Sequence, residues 1–77
     1  MSSIRANGFR MVVYPNDHPP PHTHVLGPGW EIRIELSMPP ALMTIIGKPK
    51  VTEISAALMV VDAHLGQLRT HWSNLHD

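Results

Sequence analysis

The stretch Trp30-Glu31-Ile32-Arg33-Ile34-Glu35-Leu36 carries the clearest structural signal in the chain. Trp30, Ile32, Ile34 and Leu36 fall on one face of an extended segment, and Glu31, Arg33 and Glu35 on the other. That period of two belongs to a strand with one face buried. Upstream, Gly27-Pro28-Gly29 breaks the chain, and His22–Leu26 before it reads as a short strand. Further back, Asn7-Gly8 signals a turn, and Phe9, Met11 and Val13 alternate with Arg10, Val12 and Tyr14 up to Pro15. Downstream, Pro39 and Pro40 interrupt before a fourth, apolar strand candidate that ends at Gly47.

From Val51 the period changes. Ile54, Leu58, Val61, Leu65, Leu68, Trp72 and Leu75 recur at spacings of four and three, one stripe along a helix. Thr52 is the expected N-cap, and Glu53 sits where the helix dipole favours a negative charge. The expectation is a single α+β domain over 1–77, with strands near 9–14, 22–26, 30–36 and 42–46 and a helix near 52–75. Three or four antiparallel strands would be followed by one long C-terminal helix packed on their apolar face.

A chain of 77 residues leaves no room for a second domain. At this size folding buries only about 60% of the surface the unfolded chain exposes, so a homodimer or a heterocomplex is expected over a monomer. There is no Cys, which removes disulfides and thiol chemistry. No apolar run reaches the roughly 20 residues of a membrane span, and the first residues lack a signal-peptide core. No membrane partner is expected, and the cytoplasm is the expected location. Six basic and six acidic residues cancel, so any contact with RNA or DNA must come from a local patch.

Six histidines and eight prolines are the compositional excesses. Three of those histidines lie in Asn16-Asp17-His18-Pro19-Pro20-Pro21-His22-Thr23-His24, where the prolines are expected to hold an extended, polyproline-like course. On a strand His22 and His24 point the same way, about 6–7 Å apart at their bases. A hairpin with a four-residue loop would set Val25 opposite Trp30 and Thr23 opposite Ile32, both in the core. His24 would then face Glu31, and His22 would face Arg33, on the other surface; a one-residue slip would bury both imidazoles.

That surface admits three uses. One is a divalent metal, with His18, His22, His24 and Glu31 as candidate ligands. Another is metal-free acid–base chemistry on RNA, requiring no cofactor. There His22 and His24 would exchange protons, His18 and Asp17 would orient or assist, and Arg33, Asn16 and Tyr14 would hold substrate. The last is structural: an Asp-His-Pro corner can satisfy turn backbone, and a strand His can cap a carbonyl. His64 and His71 lie two helical turns apart, too far to share an ion, and read as boundary residues. His76 is expected to fray. Trp72 reads as a core anchor, and Lys48-Pro49-Lys50 as a solvated loop.

The pattern Asn7-Gly8-Phe9-Arg10, then Tyr14-x-Asn16-Asp17-His18-x-Pro20-Pro21-His22-x-His24-Val25, then a C-terminal helix carrying Trp72, resembles a small prokaryotic family. That family is DUF4160, a domain of unknown function, and the resemblance spans nearly the whole chain. Its members are commonly encoded beside a second small protein in a toxin–antitoxin-like arrangement. The resemblance implies a toxin-like component with a small cognate antitoxin-like partner. It also implies an RNA-cleaving or translation-blocking action, of the ribonuclease-like hydrolase or transesterase kind if enzymatic. A non-catalytic protein- or nucleic-acid-binding module is the alternative. The chain departs from the family in its opening residues, where Pro is usual, and Pro19 fills a variable position.

Overall fold

Asn7 and Gly8 both take positive φ, 53° and 80°, the backbone that Asn-Gly hairpin turns favour. Such a turn needs a strand on each side. The computed structural model, which describes residues 1–77, supplies both: β1 (Ser2–Ala6) and β2 (Phe9–Val13). β1 lies outside the expected set because only Ile4 and Ala6 give it an apolar face, and these pack on the core. Next come β3 (His22–Gly27), β4 (Trp30–Glu35) and β5 (Ala41–Ile46). All five run antiparallel in the order β1-β2-β3-β4-β5. The sheet therefore has five strands where three or four were expected.

The β3–β4 register is tighter than expected. Gly27 faces Trp30 across a two-residue turn, so Val25 opposes Ile32, Thr23 opposes Ile34, His24 opposes Arg33 and His22 opposes Glu35. Gly29 at φ 74° lets the chain reverse in two residues after Pro28. Gly27 is needed because the Trp30 indole occupies the space where a Cβ would stand. The offset from the expected pairing is two residues, which preserves the faces. Thr23 and Val25 turn to the core, and His22 and His24 to the other side.

The expected single helix is two, α1 (Val51–Ala63) and α2 (Leu65–His76). The break falls at His64, whose backbone takes φ −116° and ψ 18°. Its ring Nδ1 lies 2.9 Å from the Val60 carbonyl, the acceptor its own amide would use in a continuous helix, and that amide bonds Val61 instead. The apolar stripe continues across the break through Ala57, Val60, Val61, Leu65, Leu68 and Trp72, all buried. The helix begins after Lys50 and not after Thr52. Glu53 accepts from the Lys50 amide at 2.8 Å and from the Trp30 indole N–H at 3.1 Å, which both caps α1 and ties it to β4.

The helices cover Met11, Val13, Val25, Ile32, Ile34 and Leu36, all at most 1% exposed. They stop short of β5. There Leu42, Met43, Ile45 and Ile46 are 40–46% exposed, and a bulge interrupts the pairing opposite Arg33 and Ile34. No helix is long and apolar enough to cross a membrane.

Candidate metal centre

The Pro-rich segment between β2 and β3 carries Asp17 back over the end of the sheet. The Asp17 amide reaches the Tyr14 carbonyl at 3.4 Å, and the Pro21 carbonyl accepts from the Leu36 amide at 2.8 Å, which fixes both ends of the loop. The Pro19–Pro20 peptide is cis, in place of the extended course expected. His22 and His24 then begin β3 on the face opposite the apolar core, at the end that α2 reaches through Trp72 and His76. They are nonetheless 8% and 6% exposed, and Asp17 closes over them.

The ring nitrogens show what this arrangement can hold. His22 Nδ1 lies 2.9 Å from the Pro20 carbonyl, which can only accept, so that nitrogen carries the hydrogen. In the neutral ring Nε2 keeps its lone pair, and it faces Asp17 Oδ2 at 3.4 Å. His24 Nδ1 lies 2.7 Å from Glu31 Oε2, and its Nε2 lies 2.7 Å from Asp17 Oδ2. A neutral imidazole has one N–H and cannot donate to both carboxylates. One of the two contacts therefore needs a further proton, on the ring or on a carboxyl, or a cation between Nε2 and Asp17.

Asp17, His22 and His24 bring one ligand atom each to within 4.8 Å of one another. Zinc bonds of about 2.0–2.2 Å at tetrahedral angles need ligand atoms roughly 3.3 Å apart, so small side-chain movements would admit the ion. Both rings already have what metal-bound histidines have behind them: an acceptor on the far nitrogen that fixes tautomer and orientation. For His22 it is the Pro20 carbonyl, and for His24 the Glu31 carboxylate. Burial pushes the Glu31 carboxyl up, but hydrogen bonds and charge from Arg33 and His24 outweigh this and hold it below the usual range. Glu31 therefore stays an acceptor, with Arg33 Nε donating to the same oxygen at 2.8 Å.

The expected site residues separate into two groups. Asp17, His22 and His24 converge, and Tyr14 sets its ring edge-on to His24 at 4.8 Å. Glu31 stands behind His24 and not beside His22, and Arg33 backs Glu31 with its side chain 40% exposed. His18 and Asn16 are exposed and make no side-chain hydrogen bond, so His18 is not among the ligand atoms that meet. His76, expected to fray, instead stacks on Trp72 at 3.6 Å, and its Nε2 lies 3.0 Å from the Asp17 carbonyl. Trp72 is buried as expected and also sits 5.5 Å from the His22 ring. The spacing of Trp72 and His76, one helical turn, was the only sequence signal that they act together.

No family model, no curated protein and no solved structure matches the chain. Two surface clefts exist, and neither opens on the centre. One, of about 360 Å³, lies at the far end of the sheet around Arg5, Gly8, Phe9, Arg10, Gly27 and Pro28. The other, of about 390 Å³, lies between Asn7, Phe9 and α1. The Asp17–His22–His24 centre, with three ligand atoms within 4.8 Å of one another, has the dimensions of a single-ion site.

Proposed function

We propose that the protein binds one divalent transition-metal ion through Asp17 Oδ2, His22 Nε2 and His24 Nε2. The observation that carries this reading is the pair of far-side acceptors, Pro20 and Glu31, which aim two Nε2 atoms at one carboxylate. Two nitrogens and an oxygen with no sulfur suit zinc, and also iron or manganese, and leave a coordination position for water or a ligand. Metal-free catalysis by an imidazole pair is the weaker account. His24 has both nitrogens committed to carboxylates, which leaves His22 alone to exchange protons.

The cellular setting rests on the resemblance: a toxin-like component of a two-gene module, working in the cytoplasm with a small antitoxin-like partner, on RNA. In that setting the ion takes the place of the imidazole pair as the working group. Elemental analysis of tag-free protein tests the binding function; about one equivalent of zinc, iron or manganese is expected, lost in the His22→Ala/His24→Ala variant. Induced expression in bacteria tests the setting. Growth arrest by the wild type and not by the folded double variant is expected, and growth unaffected by either would remove the toxin reading.

A further inference from the structure

Arg5 on β1 and Arg10 on β2 are directly opposite in the sheet, so their side chains share a face. Like charges in that position repel and destabilise the pair. Neither guanidinium has a carboxylate partner or any other hydrogen bond within the chain, since the ion pairs all lie at Asp17 and Glu31. Arg69 is committed to the Leu36 carbonyl, and Arg33 gives Glu31 its Nε alone, with the side chain 40% exposed. In the row Arg5–Arg10–Leu26–Glu31 the nearest acidic group is Glu31, two strands from Arg10 and already held by Arg33 and His24. The two free guanidiniums border the cleft of about 360 Å³ between the Asn7-Gly8 and Pro28-Gly29 turns.

We infer that Arg5 and Arg10 form a phosphate-binding site that holds the backbone of a single-stranded nucleic acid. A phosphate offers the paired oxygens that two guanidiniums match, and it removes the repulsion the fold otherwise carries. A strand fits better than a lone phosphate because the same open face continues to Arg33. Strand spacing and rise put Arg33 about 12 Å from Arg10 at the backbone, beside His24 of the metal centre. A chain with zero net charge would thus reach nucleic acid through three arginines, Arg5, Arg10 and Arg33, on one face of the sheet. The inference names the substrate class of the proposed centre and rests on that reading for its purpose, but the phosphate site stands or falls alone.

The test is fluorescence anisotropy of a labelled 12-nucleotide single-stranded RNA at a series of salt concentrations. Wild type is compared with Arg5→Gln/Arg10→Gln and with Lys48→Gln/Lys50→Gln, which removes the same charge elsewhere. The arginine variant should bind about tenfold more weakly at low salt, with the salt slope reduced by about 1.4, the value for two phosphate contacts. The lysine variant should stay within twofold of wild type. Equal loss in both variants, or none in either, overturns the inference. Complete displacement of RNA by a few millimolar inorganic phosphate would reassign the site to free phosphate and overturn the strand. Zinc titration of the same arginine variant separates the two readings. Zinc bound by the variant with RNA lost supports both, RNA lost by the variant with zinc bound by neither protein leaves the phosphate site alone, and zinc bound with RNA unaffected leaves the metal centre alone. A thermal midpoint at or above that of wild type, as relief of repulsion predicts, shows the variant folded; for a lowered midpoint, the single variants Arg5→Gln and Arg10→Gln give the same comparison.

Discussion

β3 and β5 invert the usual distribution of side chains, each in its own direction. β3 buries two histidines and a threonine, while β5 leaves Leu42, Met43, Ile45 and Ile46 nearly half exposed. Thr23 is explained locally: its hydroxyl donates to the Val12 carbonyl at 3.0 Å and completes the β2–β3 pair. His22 and His24 are not explained in this way. Burying two imidazoles and half-burying the Asp17 and Glu31 carboxylates around them costs solvation, and an apolar cluster of the same volume would hold the sheet as well. β5 costs little to the fold but exposes an unpaired strand edge with apolar side chains on both faces. The contrast separates two features of a small chain: β3 buries polar groups at the proposed metal centre, and β5 leaves an apolar surface uncovered.

Substitutions should break the comparison unequally. The largest effect belongs to the ligands. Asp17→Ala or His22→Ala should lower affinity for zinc by at least about 100-fold, beyond the 10- to 100-fold range for groups behind the ligands. Competition with a chromophoric chelator measures this, and affinity within threefold of wild type would break the assignment. Next is Glu31→Gln, which keeps the shape but weakens the acceptor on His24 Nδ1. A loss of about 10- to 100-fold in affinity is expected.

The same variant carries a pH prediction. The folded Glu31 carboxyl lies below its ordinary value, so the unfolded chain takes up the proton first as pH falls. Its contribution is complete above the unfolded carboxyl value of about 4.3 and fades as pH drops through the folded one. In metal-free protein the stability gap between wild type and Glu31→Gln should therefore narrow below about pH 4.3, as read by urea midpoints. A gap that widens on acidification would contradict the charge assignment.

Smaller still is His76→Ala. It frees the Asp17 backbone from α2 and removes the stack on Trp72, so zinc affinity should fall a few-fold and stability by about 1 kcal/mol. Least of all, Ile45→Lys on β5 should shift the stability of the isolated chain by no more than about 0.5–1 kcal/mol, because the side chain is already 40% exposed. Chemical denaturation checks both. A β5 cost above about 2 kcal/mol would place that strand in the core and erase the contrast.

Much of this was legible in the residues. The alternation Trp30 to Leu36 marks β4, and the common face of His22 and His24 follows from their spacing. Four features were not legible, each for a physical reason. β1 has too few apolar residues to register as a strand, although Asn7-Gly8 demanded one before it. The two-residue turn at Pro28-Gly29 depends on Trp30 folding over Gly27, a contact between strands. The apolar stripe of the helix runs unbroken across His64, because the break arises from a side chain competing for a backbone carbonyl and not from a change of period. Asp17 and His76 meet across 59 residues, and only the packed helix reveals that His76 braces the loop. Sequence spacing identified which histidines share a face, and tertiary packing decided that Asp17 completes them while His18 stays outside.

Isothermal titration of zinc into metal-free, tag-free protein tests the central claim most directly. The account predicts one equivalent bound by the wild type and no binding by Asp17→Ala/His22→Ala. Wild type that shows no heat with zinc, iron or manganese, or that binds zinc as well after loss of Asp17 and His22, would contradict it.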